Sequence, residues 1–401
     1  GNGVRQTLET LQRIIPLQLH EVPSGTPVFD WTVPREWNIR DACVKNAKGE
    51  KVLDFRQSNL HVLNYSVPSH RVMPLAELRP HLFTLPDHPD WIPYRTSYYS
   101  ENWGFCLRHR DYLTLEDGEY EVFIDSSLED GFLTYGECYL PGREPSEILI
   151  SSHACHPSLA NDNLSGIAVA ALLARRIGTA PRRYSYRFLF IPGTIGAITW
   201  LARNEDKTPR IRHGLVLTGL GDAGTMTYKK SRRGDSEIDR VASYVLERSG
   251  QAYDIVDFAP YGYDERQFCS PGFDLPVGRL SRTPYGAYPE YHTSADNLDF
   301  VRPECLGDSF SRVVDMLDLL EGNRAYASMN PKCEPQLGKR GIYRSAGGRV
   351  SGGEGELALL WVLNLSNGRH TLLDIAKKSG IDFRVIREAA RILEENRLLR
   401  V

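Results

Sequence analysis

Between residues 147 and 250 the chain repeats one kind of unit. The runs EILISS, YSYRFLFIP and HGLVLTGL are short and rich in Ile, Leu, Val and Phe, and each is followed by a stretch with helical spacing: GIAVAALLARRI, IGAITWLARN and DRVASYVLERSG. Apolar strands alternating with helices predict an α/β fold, a mainly parallel sheet flanked by helices on both faces. In such sheets ligands collect outside the carboxyl ends of the strands. His153 ends the first of these runs, so the chemistry is sought there.

The text on either side of this block is different in kind. A chain of 401 residues exceeds one comfortable core and predicts two or three domains. Residues 4–15 have helical spacing. Beyond Trp37 come short β-type runs such as EYEVFID and TYGECYL, broken by Pro, Gly, Asn and Asp, which predict an inserted β-rich domain over 38–140. Its aromatic stretch DWIPYRTSYYSENWGF reads first as packing material. The α/β domain then comprises 1–37 and 141–330. A Gly-, Pro- and charge-rich linker follows over 331–353, and 354–401 forms a separate module. That module predicts helices over 355–365, 371–378 and 383–396 and closes on NRLLRV, the pattern of a winged helix.

A net charge of -3 supplies no field to gather nucleic acid or anionic lipid. The third helix of the winged-helix module sets Arg384, Arg387, Arg391 and Arg397 against Asp382, Glu388, Glu394 and Glu395. This balance argues against DNA and leaves packing, a protein partner or a second copy of the chain as the role of that domain. Seven scattered cysteines without a CxxC pair argue against a disulfide framework or a zinc ribbon, so a reducing, cytoplasmic location is expected. No membrane-length apolar run and no signal-peptide pattern is present.

Two stretches hold the candidate chemistry. HACHPSLANDNLSG offers His153, His156 and Asp162; RTPYGAYPEYHTSADNLDF offers His292, with Glu290 and Asp296 beside it. Two imidazoles and a carboxylate suit a zinc ion with one open position. Each residue also has an ordinary reading, and Asp162 could simply cap the following helix. The combination, histidines on the loop after a strand, a carboxylate before the next helix and a distant loop with another His, favours a metal.

The motifs HACH, ANDNLSGIAVAALLA, YDERQFCSPGFDLPVG and EYHTSADN resemble the zinc aminopeptidases, whose fold is shared with glutaminyl cyclases. The whole chain resembles bacterial aminopeptidase-like proteins with an inserted β module and a C-terminal winged helix. The resemblance implies His153, Asp162 and His292 as metal ligands, with Asp162 the carboxylate that bridges two metals in dinuclear relatives. It implies that Asp264 holds the substrate network, as in the cyclases.

The pattern is broken where the family carries two glutamates, a base and a ligand: the chain has Gly193 and Thr194. Thr218 stands where another aspartate ligand is expected, with Asp222 four residues on. One zinc is therefore expected, with His156, Cys155, substrate or water as the fourth ligand. The substitute base is sought among Asp264, Glu265 and Glu290, and Arg266 and Tyr291 are expected to touch substrate. Glu265 could equally be half of a structural ion pair with Arg266 beside it. The basic run YKKSRRGD reads as a solvated loop, or as a seat for a substrate carboxylate or phosphate. The expected function is a zinc-dependent peptidase of the aminopeptidase type acting on a small peptide or peptide-like amide. A cyclase or amide-forming acyl transferase, and a catalytically impaired protein that binds a peptide or metabolite, remain the alternatives.

Overall fold

The computed structural model describes residues 1–342 and 353–401. Part of the expected linker, 343–352, lies outside the described residues. The chain divides into two units, Gly1–Val313 and Val314–Val401.

The first unit is built on one eight-stranded sheet. In chain order its strands are β1 (Gln18–Pro23), β2 (Phe132–Leu140), β3 (Glu147–His153), β4 (Ser185–Ile191), β5 (Ile211–Leu217), β6 (Met226–Lys229), β7 (Tyr253–Val256) and β8 (Val277–Ser281). They lie side by side as β1-β2-β4-β3-β5-β8-β6-β7. The block β4-β3-β5-β8 is parallel, as expected. Antiparallel pairing attaches β2 to β4 and β6 to β8, so the sheet as a whole is mixed.

Burial explains the text of the central strands. Every residue of β3 and β4 is buried, which is why neither alternates apolar with polar. Leu149, Leu189, Ile191 and Val216 from the sheet form one core with Ala197, Ile198, Trp200 and Leu201 of the helix Ile195–Arg203. Arg187 on β4, a buried cation of this sheet, is held by both oxygens of Glu147, at 2.7 and 2.9 Å, and by Glu137. Paired and hydrogen-bonded on both sides, it can stay charged inside the sheet.

Two boundaries differ from the sequence reading. Phe132–Leu140 falls in the stretch assigned to the inserted module, yet pairs in the large sheet, with Cys138 opposite Phe188. Its alternating text looks like that of its neighbour Glu119–Glu129, and only the pairing partner separates them. The inserted module itself is a four-stranded antiparallel sheet in the order Lys51–Asp54, Glu36–Lys45, Glu119–Glu129, Ser69–Pro74. In the second unit, Ala325–Ser328 is the middle strand between Asn367–Thr371 and Leu399–Arg400. The winged-helix unit thus starts before the expected linker. Four residues, AYAS, carry too little pattern to announce a strand.

The helices of the second unit are Glu354–Leu365, Leu372–Ser379 and Phe383–Glu395, close to their predicted spans. The middle one opens on a capping box, with Thr371 and Asp374 each accepting from the other's backbone N–H, and closes on Gly380 at φ 75°. Glycine suits that left-handed cap because it has no Cβ to clash. All seven cysteines are free. Among the described residues no helix is long and apolar enough to cross a membrane.

Candidate metal centre

His153 is the last residue of β3, and the loop beyond it returns at Asp162 to face it. His153 Nε2 lies 2.8 Å from Asp162 Oδ1, and His292 Nε2, from the remote loop, lies 3.1 Å from Asp162 Oδ2. One carboxylate thus turns an oxygen to each imidazole. His156 joins from the side: its donor atom and those of His153 and Asp162 fall within 4.8 Å of one another. His292 lies outside that tightest trio, though its ring stands 5.0 Å from that of His156.

Asp162 is fully buried and does not cap a helix. The regular helix starts four residues later, over Gly166–Gly178. Its backbone is pinned by Asp296, whose carboxylate accepts from the N–H groups of Asn161 (2.5 Å) and Asp162 (3.0 Å). Asn163 spans the strand ends below, donating to Ser152 Oγ at 2.9 Å and accepting from Gly219 N–H at 3.2 Å. Asp222 does not reach the histidines. It accepts from Asn161 Nδ2 at 3.0 Å and Thr283 Oγ1 at 2.5 Å, and so ties two loops together.

The electrostatics follow from burial. Loss of water works to raise the Asp162 carboxyl, and the surrounding imidazoles outweigh it, holding the group well below the ordinary carboxylate range. Burial pushes His156 down to about 3, so its ring is neutral and free to ligate. The Cys155 thiol is pushed up to about 12 by burial, and its sulfur takes the N–H of Gly193 at 3.2 Å.

These donors fit one divalent ion. Two imidazoles share a buried, ionised carboxylate, and a third neutral imidazole stands in reach, the composition of a zinc site with room for a further ligand. They do not fit two ions. Where a second ion would need carboxylates the chain has Gly193, Thr194 and Thr218, and Thr218 Oγ1 is buried without a partner.

The other expected site residues divide. Asp264 is buried next to the centre, accepts the Thr194 N–H at 2.6 Å, and is pushed up to about 6 by burial. Thr194 holds φ 62°, an outlier for a β-branched residue, at the end of β4. Glu265 is committed elsewhere: its Oε1 meets Lys229 Nζ at 2.9 Å in a fully buried ion pair. Glu290 is half-buried, and its carbonyl receives the N–H and hydroxyl of Thr293, which shapes the loop. Arg266 reaches Thr194 Oγ1 at 3.4 Å, and Tyr291 stacks on His292 with centroids 3.9 Å apart.

Two aromatic walls were not singled out by the sequence reading. Tyr263 stacks on His153 (4.9 Å) and directs its hydroxyl to Asp162 Oδ1 at 3.4 Å. Tyr94, from the inserted segment, stands edge-on to both His156 (5.3 Å) and His292 (5.0 Å). Its backbone N–H donates to the His292 carbonyl at 2.7 Å, which helps hold that residue at φ 57°. Tyr263 adjoins the YDERQF motif and could have been suspected from it. Tyr94 sits in an aromatic-rich stretch with nothing local to mark it.

A family model described as a domain of unknown function, DUF4910, matches residues 1–323. The chain belongs to the DUF4910 family. Its DUF4910 region is followed by a match to a winged helix-turn-helix model over 324–401, in agreement with the early strand Ala325–Ser328. A Clostridium acetobutylicum protein, provisionally named for polysaccharide biosynthesis with an aminopeptidase-like domain, is 55% identical over 401 residues, spanning 100% of this chain and 92% of its own. A crystal structure from the same organism, provisionally described as a peptidase, superposes with a TM-score of 0.94 at 53% identity over 100% of this chain and 92% of that one. The zinc aminopeptidase BSAP of Bacillus subtilis gives a TM-score of 0.55 at 12% identity, covering 79% of this chain and 87% of its own. A peptidase M28 precursor from Shewanella amazonensis gives 0.54 at 12%, covering 79% and 86%. The DUF4910 region therefore has the aminopeptidase-like fold, and the resemblance in the motifs extends to the architecture.

Proposed function

We propose that this protein is a single-zinc hydrolase of the aminopeptidase type, cleaving an amide in a small peptide or peptide-like molecule. The observation that carries the reading is Asp162: fully buried, and presenting one oxygen to His153, nine residues before it, and the other to His292, 130 residues after it. His153, Asp162 and His292, with His156 in reach, would hold a divalent ion, which when bound would supply Lewis acidity to an amide carbonyl and to water.

Proton transfer falls to Asp264. Of the three candidate carboxylates, Glu265 is neutralised by Lys229 and Glu290 serves its loop through the backbone. Asp264 lies within electrostatic reach of His153, with an affinity for protons raised to about 6, in the range where a carboxylate both accepts a proton from water and returns it to a leaving amine. Tyr94, Tyr263 and Tyr291 wall the imidazoles and limit competing water. The provisional name of the Clostridium relative adds an amide carried on a saccharide to the substrates worth testing.

Elemental analysis and product mass test the reading together. Stoichiometric zinc is expected in the wild-type protein and is expected to vanish in both His153→Ala and His292→Ala. Candidate amides should gain the mass of one water; a cyclised or transferred product does not. Zinc retained by both variants sinks the assignment.

A further inference from the structure

Arg279 lies in the middle of β8, 4% exposed, and its register partner across the antiparallel pair with β6 is Lys229. Directly opposed residues share a face, and like charges so placed repel. Lys229 is satisfied: its ammonium bonds Glu265 at 2.9 Å and the carbonyls of Ala259 and Tyr261 at 2.6 and 2.9 Å. Arg279 is not. Among the described residues no carboxylate or carbonyl accepts from its guanidinium, and its Nε is buried without a partner. Arg266, close by in the chain to Glu265, also has a buried Nε without a partner. Glu265 Oε1 is taken by Lys229, and among the described residues neither Arg279 nor Arg266 forms an ion pair; the Arg266 fork reaches only Thr194 Oγ1, at 3.4 Å.

A buried guanidinium with no partner costs stability and is retained where a ligand completes it. The location supplies the ligand. The Arg279 guanidinium carbon stands 5.5 Å from the centroid of Tyr285; Tyr285 packs against Tyr263 at 5.0 Å; and Tyr263 reaches Asp162. The unpaired charge is therefore connected through two aromatic rings to the candidate metal centre.

We infer that Arg279, assisted by Arg266, binds an oxyanion of the substrate, so that the amide cleaved at the metal centre belongs to an anionic molecule bearing a carboxylate or a phosphate. This rests on the hydrolase reading for its meaning but not for its test. Guanidinium forks match either oxyanion, and charge-assisted pairing in a dry site orients the amide at the far end.

Thermal melting of the full chain, titrated with inorganic phosphate or with succinate against chloride at matched ionic strength, decides the matter. A saturable rise in melting temperature is expected in the wild type with at least one of the two anions. A response to phosphate alone identifies a phosphorylated substrate and a response to succinate alone a carboxylated one. Arg279→Gln and Arg279→Met should shift half-saturation at least about tenfold, the loss expected for a charge-assisted hydrogen bond. Both should melt no lower than wild type in chloride and should keep their zinc. His153→Ala should lose zinc yet keep the anion response, so a failure of the metal assignment reads separately. The inference is overturned by a wild type without a saturable response, by a folded neutral variant that responds as wild type does, or by collapse of both neutral variants in chloride.

Discussion

Glycine at position 193 leaves the candidate site without a carboxylate at the end of β4. A Cβ built there would lie 3.4 Å from Cys155 Sγ and 3.8 Å from the Cβ of His153, ordinary contact distances, and the backbone is outside the left-handed region that would bar a side chain. Gly193→Glu is therefore expected to fold and to point a carboxylate at the histidines. Turnover of an amide substrate should rise, by up to the hundred- to ten-thousandfold (~10²–10⁴) that a positioned base contributes. Asp264→Asn should lower kcat by a similar ~10²–10⁴ factor while zinc content stays stoichiometric, since an amide oxygen can still accept the Thr194 N–H. Equal zinc loss and rate loss in that variant would recast Asp264 as a ligand. Residue type and spacing suggested the cluster of His153, His156 and Asp162, because strand end, turn and helix start are local, whereas the choice of His292 from a distant loop came from the resemblance to zinc aminopeptidases. The support around the site was not legible in the sequence: Asp296 acts on Asp162 through backbone N–H groups, and Arg279 is conspicuous only once Lys229 is seen beside it.

Several arginines of the third winged-helix helix are already paired on the surface of their own unit. In the helix Phe383–Glu395, Arg391 pairs with Glu388 and Glu395, Arg384 reaches Asp315 at 2.8 Å, and Arg387 contacts the Asp318 carbonyl. Phosphate contacts would have to displace these partners. Duplex DNA at physiological salt is accordingly expected to bind no tighter than the non-specific range of about 10⁻⁴ to 10⁻⁶ M, measured by fluorescence anisotropy across a salt series. Thr371→Ala, which removes half of the capping box, should cost about 1 kcal/mol in urea unfolding of this unit and leave zinc content unchanged. Helix positions were readable in the sequence because their apolar spacing and caps are local signals. Sheet membership was not, since Phe132–Leu140 and Ala325–Ser328 depend on partners far along the chain.

At the scale of the whole molecule, burial couples stability to pH. His213 is pushed down to about 3 and His61 is also lowered, each by loss of water. Their unfolded values lie near ~6.5, so on acidification the unfolded chain takes up protons first. The stability they provide is complete above that value and is lost as pH falls below it, for His213 as far down as about 3. The urea midpoint should drop steadily from pH 7 to pH 4, and less steeply in His213→Gln; an unchanged slope would remove His213 from the cause. The inserted module, for its part, is sewn to the loop that carries His292 by main-chain bonds: Tyr94 N–H to the His292 carbonyl, Ser294 N–H to the Ile92 carbonyl at 2.8 Å, and a bridge between Pro93 and Thr293. Cutting this appendage away would leave the His292 imidazole without its backrest, so the graft and the remote loop stand or fall together in this fold.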